Sequence, residues 1–232
     1  PQTFLDDVAI ETSVRKGLLT VSGMLRGNLA GARVRAVVRD SGTAVLTPPG
    51  IAVQDTGYWR LSTSFEKCHL WSPESPHLYD LELALTDATD KEVDHITLRF
   101  GFRELWAEGP DFVFNGVKRH LLATSGWPAR GNQSENEVRR SLKAMKEAHC
   151  VAFRLHTQPW QRKWLKVADE VGIMIIEEGA LWCDGTGTYA YKDDRLWQNI
   201  RDHLAGMARR DRNHASLVMW SIENEILHCG AT

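Results

Sequence analysis

The sequence predicts a chain in two parts, an antiparallel β-sandwich followed by strands and helices that alternate around a parallel sheet. Three observations predict it. Through the first hundred residues, apolar and polar side chains alternate with a period near two. Turn residues interrupt that alternation at Asp40-Ser41-Gly42, Pro48-Pro49-Gly50, Asp55-Thr56-Gly57 and Pro73–Pro76. After about residue 103, short apolar runs alternate with amphipathic stretches of helical period.

Five segments of the first part read as strands: LLTVSGMLRG (18–27), ARVRAVVRD (32–40), YWRLSTSF (58–65), YDLELALT (79–86) and DHITLRFGF (94–102). Short strands with regular breaks pack as two antiparallel sheets. In the second part KRHLLAT (118–124), VAFRLH (151–156), IMIIEE (173–178) and LVMWSI (217–222) read as strands. Between them lie three helices, 134–149, 160–172 and 194–210. The first opens with a capping box, because Ser134 stands three residues before Glu137. The second stops at Gly172, a natural left-handed terminator. Apolar strands between amphipathic helices imply parallel strands covered on both faces. That leaves a doubly wound sheet or part of a (β/α)8 barrel.

Composition excludes some classes. The chain has 232 residues, 43% hydrophobic and 25% charged, with a net charge of −2. No basic field is present to attract nucleic acid, so no nucleic-acid partner is expected. No apolar run approaches the ~20 residues that span a bilayer, so no membrane partner is expected either. Four cysteines, Cys68, Cys150, Cys183 and Cys229, form no C-x-x-C pair, which argues against a cysteine zinc site and a redox site. The sequence starts without Met and without a leader, and reads as a processed, truncated or excised product; it carries no information on compartment.

In either parallel fold the ligand sits beyond the C-terminal strand ends. Those ends read Ala123-Thr124-Ser125, Arg154-Leu155-His156, Glu177-Glu178 and Glu223-Asn224-Glu225. The long stretch after Glu178, residues 179–194, carries Trp182, Tyr189 and Tyr191. Aromatic rings beside carboxylates and amides suit a sugar, whose C–H face stacks while its hydroxyls take hydrogen bonds.

Six ordered segments then carry a resemblance. RDRNHASLVMWSIENE (210–225) resembles the signature of the family 2 glycoside hydrolases, the β-galactosidase, β-glucuronidase and β-mannosidase group. LWSPESPHLYDLEL (70–83), RFGFRELW (99–106) and FVFNGVKRHL (112–121) are similar to the close of that family's immunoglobulin-like domain and the entry to its barrel. LKAMKEAHCVAFRLHTQP (142–159) and LKVADEVGIMIIEE (165–178) resemble its second and third barrel units. The resemblance implies an immunoglobulin-like β-sandwich over 1–102. The first half of a TIM barrel, about four βα units, follows over 103–232.

It also implies roles. Glu225 is the expected general acid/base and Asn224 the amide that holds a sugar hydroxyl. A carboxyl set among Trp220 and apolar walls would have its charged form disfavoured. Arg154 is expected to brace the carboxylates, and Glu178 to support the site or touch the sugar. His156 is expected at the same mouth and Trp182 as a stacking platform. Glu223 is expected to point away, and His120 to lie at the opposite end of the barrel. Two departures stand out. The family's Ser-His after the strand-two arginine is here Leu155-His156-Thr157, a one-residue displacement that threatens to turn the histidine to the other face. The metal motif Glu-x-His is replaced by Trp182-Cys183-Asp184, so no magnesium site of that kind, and no cofactor, is expected.

The implied reaction is hydrolysis of terminal β-glycosidic bonds with retention, which needs two carboxylates about 5 Å apart. In the family the nucleophile comes from strand seven. These 232 residues alone are therefore expected to be inactive, and to self-associate or join a complementing barrel half. The alternative is a carbohydrate-binding module without turnover.

Overall fold

The computed structural model describes residues 3–28, 30–128, 133–182 and 193–225. The chain divides into two compact units, residues 1–119 and 120–232.

In the first unit, β1 (Phe4–Ser13), β2 (Leu18–Arg26) and β6 (Tyr58–Ser64) form one antiparallel sheet in the order β1-β2-β6. The other sheet runs β4 (Thr43–Leu46), β3 (Arg33–Asp40), β7 (Tyr79–Thr86) and β8 (Glu92–Phe100), and β5 (Ile51–Ala52) also pairs with β3. Alternation turns Tyr79, Leu81, Leu83 and Leu85 of β7 inward with Val34, Ala36 and Val38 of β3. They share one core with Leu19 and Val21 of β2 and Trp59 and Leu61 of β6, so the two sheets form a sandwich. Each such leucine contributes about 1.5–3 kcal/mol by burial. Gly23 is required there, since a Cβ would stand 2.7 Å from the Trp59 ring.

The predicted strands 18–27, 32–40, 58–65, 79–86 and 94–102 are all present, with no end shifted by more than two residues. Strand β1 is not evident from the sequence, because its alternation is broken where Asp6-Asp7 forms a bulge with Asp7 at φ 50°. A small sheet follows, β9 (Leu105–Glu108), β10 (Asp111–Phe114) and β11 (Val117–Arg119). Its last turn is Asn115-Gly116, both at positive φ, the pair that suits a two-residue hairpin.

The second unit is β12 (Ala123–Gly126), α1 (Glu135–Glu147), β13 (Ala152–Leu155), α2 (Arg162–Val171), β14 (Met174–Trp182), α3 (Asp194–Asp211) and β15 (Leu217–Asn224). The four strands are parallel and lie in sequence order. A doubly wound sheet reverses its order at a switch point, whereas a barrel adds strands consecutively, so this order is that of a barrel segment.

Ser134 and Glu137 form both bonds of the capping box on α1, and Gly172 caps α2 at φ 78°. Phe153, Leu155, Ile173, Ile175 and Leu217 pack against Val138 and Leu142 of α1 and Trp164, Leu165 and Val167 of α2. Helix-facing positions on β14 are thus the odd ones, and alternation sends Ile176 and Glu178 to the opposite face.

One prediction is corrected. The single strand 118–124 is two strands. Val117–Arg119 closes the hairpin sheet, and the first parallel strand begins only at Ala123.

Candidate functional site

Glu178 organises the C-terminal end of the sheet. Its side chain is wholly buried. Arg154 Nε donates to Oε2 at 2.6 Å, and the Ser221 hydroxyl donates to the same oxygen at 2.7 Å. His156 Nδ1 lies 3.0 Å from Oε1. A wholly buried carboxylate needs polar partners, and Glu178 has them on both oxygens. Arg154 thus pairs with one carboxylate at this end of the sheet, Glu178.

Arg154 also reaches Asn224, donating from Nη2 to Oδ1 at 2.7 Å. This bond fixes the amide's orientation, because guanidinium only donates and the oxygen must face it. The Asn224 nitrogen is then the end that can donate to a ligand hydroxyl. Asn224 is itself buried at the end of β15.

His156 keeps its place at the mouth. It stands two residues after Arg154, and positions i and i+2 share a face of an extended chain. The displacement in Leu155-His156-Thr157 does not turn it away. Gly179 follows Glu178 where β14 bulges against β15; a Cβ there would lie 2.6 Å from the Ile222 carbonyl oxygen. Only glycine lets the strands approach this closely directly after the buried acid.

Glu225 follows β15 with φ at 56°, in the left-handed region. A glutamate in that region is uncommon, and such backbones concentrate at functional sites. Its surroundings differ from the expectation. Trp220 pairs in register with Glu177, on the helix-facing side, and is 39% exposed, so it does not wall Glu225. The indole that reaches Glu225 belongs to Trp182, whose Nε1–H donates to Oε2 at 3.1 Å. Trp182 is the last residue of β14 rather than part of a loop. Glu225 is on the surface, not enclosed.

Two residues at the site carry no clear signal in the sequence. Ser221 is one, because a lone serine marks nothing. The other is Trp127, which lies directly after β12 and sets its ring edge-on to His156 at 4.3 Å and to Trp182 at 6.5 Å. Ending the first strand at 124 instead of 126 hides it from the strand-end rule. Of the other candidates, Glu223 is half-buried and pairs in register with Leu181, and exposed His120 precedes β12. Cys183, Asp184, Tyr189, Tyr191 and Cys229 lie outside the described residues.

On the helix-facing side Glu177 is also wholly buried. Arg210 Nη2 donates to Oε1 at 3.1 Å, and among the described residues no hydrogen-bond partner reaches Oε2. Burial first, and the neighbouring Asp211 carboxylate second, push Glu177 up to about 8. An open cleft of about 540 Å³ lies nearby, lined by Gln158, Asp202, His203, Met207 and Arg210. It runs along α3, and among the described residues that line it Asp202 is the one carboxylate, too few for an acid pair.

Comparison with known proteins decides the family. The model of "Glycosyl hydrolases family 2, TIM barrel domain" matches residues 101–231, and that of "Glycosyl hydrolases family 2" matches residues 3–103. The chain belongs to glycosyl hydrolase family 2. Its two parts are an immunoglobulin-like sandwich and part of a TIM barrel.

A β-galactosidase of Streptococcus thermophilus is 28% identical across 97% of the chain. One from Arthrobacter sp. (strain B7) is 33% identical across 70% of the chain. These alignments span 24% and 16% of the relatives, so the chain covers less than a quarter of the length of either. Among solved structures, Bifidobacterium dentium β-glucuronidase, complexed with coumarin-3-O-glucuronide, superposes with TM-score 0.83 at 23% identity. The match covers 96% of this chain and 38% of that one. Ruminococcus gnavus β-glucuronidase, in complex with D-glucaro 1,5-lactone, gives TM-score 0.81 at 22% identity, covering 97% and 38%. Among the described residues no helix is long and apolar enough to cross a membrane.

Proposed function

We propose that the protein containing this chain hydrolyses terminal β-glycosidic bonds with retention, and that Glu225 is its general acid/base. The observation that carries the reading is the Arg154 bridge. One guanidinium holds both buried Glu178 and Asn224, which leaves the Asn224 amide nitrogen beside Glu225 to take a sugar hydroxyl. Glu225 protonates the leaving oxygen in the first step and activates water in the second. Trp127 and Trp182, 64% and 46% exposed, offer apolar faces for a pyranose. A catalytic domain starting near residue 103 fits this assignment of roles.

Glu178 is not the nucleophile. It is fully buried, and Arg154, Ser221 and His156 contact its two oxygens. The 232-residue polypeptide by itself is accordingly expected to give no turnover. Exposed Trp220 and Ile222 on β15 favour association with further barrel strands or a second copy, which light scattering reads directly.

The test is Glu225→Gln in a protein carrying the whole barrel. Hydrolysis of a β-glycoside with a poor leaving group should collapse, whereas an activated aryl glycoside should lose less, because it needs less protonation. Equal rates for variant and parent on both substrates refute the role. The exposed indoles also fit a second reading, a carbohydrate-binding module. Sugar binding without any hydrolysis by the whole-barrel parent would establish that reading instead.

A further inference from the structure

In the first unit, Asp40, His69 and His77 bring three ligand atoms together, all within 4.8 Å of one another. Asp40 ends β3 and leads into the Ser41-Gly42 turn, while His69 and His77 flank the stretch that enters β7. Thirty-seven residues separate Asp40 from His77, so the grouping exists only in the folded unit.

We propose that Asp40, His69 and His77 form a binding site for a divalent first-row transition metal such as Zn²⁺. Asp40 Oδ2 lies 3.1 Å from His77 Nε2 and 3.6 Å from His69 Nδ1. Ligand atoms about 2.0–2.1 Å from a tetrahedral zinc stand about 3.3–3.4 Å apart, so two of the edges already match. Two imidazoles and one carboxylate are the donor set such metals take, and water completes the fourth position.

Neighbouring contacts fix the chain segments on which the ligands sit. The Ser41 hydroxyl donates to the other Asp40 oxygen, Oδ1, at 3.2 Å. The His69 backbone N–H donates to the Tyr79 hydroxyl at 2.6 Å, and the His77 N–H to the Ser75 carbonyl at 2.8 Å. The His77 ring packs edge-on to Tyr79 at 4.8 Å and to His69 at 4.7 Å. These bonds and ring contacts restrain the segments that carry the two histidines. The site is open to solvent through His69, whose side chain is 75% exposed, so a cation can enter without opening the core. A bound ion would tie the end of β3 to the chain entering β7.

The experiment is isothermal titration of the tag-free chain with ZnCl2, together with thermal unfolding and a Co²⁺ absorption spectrum. The expected result is one Zn²⁺ per chain, a higher Tm at metal excess, and a loss of affinity of about tenfold or more in His69→Ala and in His77→Ala. His69→Ala removes a mostly exposed side chain, so the fold survives it, as circular dichroism will verify. Cys68→Ser should bind like the parent, and the Co²⁺ spectrum should lack a thiolate charge-transfer band. The proposal is overturned if the parent binds no Zn²⁺, if both histidine variants bind as the parent does, or if the Co²⁺ spectrum shows thiolate ligation.

Discussion

Glu177 and Glu178 are adjacent on one strand and equally buried, yet the groups around them differ in number and sign. Glu178 has Arg154, His156 and Ser221 on its two oxygens. Glu177 has one arginine hydrogen bond on Oε1, an Oε2 without a partner among the described residues, and a second carboxylate beside it. On one face, the Arg154 guanidinium ties Glu178 to Asn224. The face that meets the helices keeps its acid protonated near neutrality. Burial alone does not decide what a carboxyl does; the count of donors around it does.

The comparison is broken most directly at Arg154. Arg154→Met leaves Glu178 as a buried charge without its cation, and should cost about 3 kcal/mol in denaturant unfolding. In the whole enzyme it should also release Asn224 and lower kcat/KM. A variant as stable as the parent would mean that the Arg154–Glu178 pair does not hold this end of the sheet together.

Glu178→Gln should be milder, about 1–3 kcal/mol, because one oxygen still accepts while the guanidinium loses its counter-charge. Glu177→Gln should behave in the reverse way. The folded pKa of Glu177 is raised from 4.5 to about 8, so its stabilising contribution is complete below about 4.5 and is lost as pH rises towards 8. The parent's Tm should therefore fall across that window more steeply than that of Glu177→Gln, and the variant should be the more stable of the two above pH 8. Parallel Tm-against-pH curves would remove the distinction between the two acids.

The smallest effects belong to the rim. Trp127→Ala should raise KM for a β-glycoside about three- to tenfold, the range of about 0.5–1.5 kcal/mol for a stacked ring. Unfolding midpoints should barely change, because the ring is 64% exposed.

Much of this is legible in the sequence, for identifiable reasons. Period-two alternation in YDLELALT and the apolar run IMIIEE mark strands, because one or both faces must be apolar. Ser134 with Glu137, and Gly172, mark helix ends through local chemistry. Arg154, His156, Glu178 and Asn224 stand out as strand ends, and the structure brings them into one hydrogen-bonded group. What stays hidden needs the third dimension. The bulges in β1 and β14 break the alternation that sequence patterns rely on. The short β11 and β12 merge into one apparent strand because only His120, Leu121 and Leu122 separate them. Chain proximity suggests Trp220 as the neighbour of Glu225, although the strand turns it to the helix-facing side. The trio of Asp40, His69 and His77 depends on a long-range approach that cysteine spacing could never report.

The central claim is that Glu225 is the proton donor on the leaving-group side of the sugar. The direct measurement is azide rescue of Glu225→Ala in a protein with the whole barrel, using an activated aryl β-glycoside. The account predicts that azide restores turnover and yields the β-glycosyl azide, because the anion enters from the side Glu225 vacated after a covalent intermediate has formed. An α-glycosyl azide would make Glu225 the nucleophile, and no rescue with parent-like turnover would remove it from the chemistry.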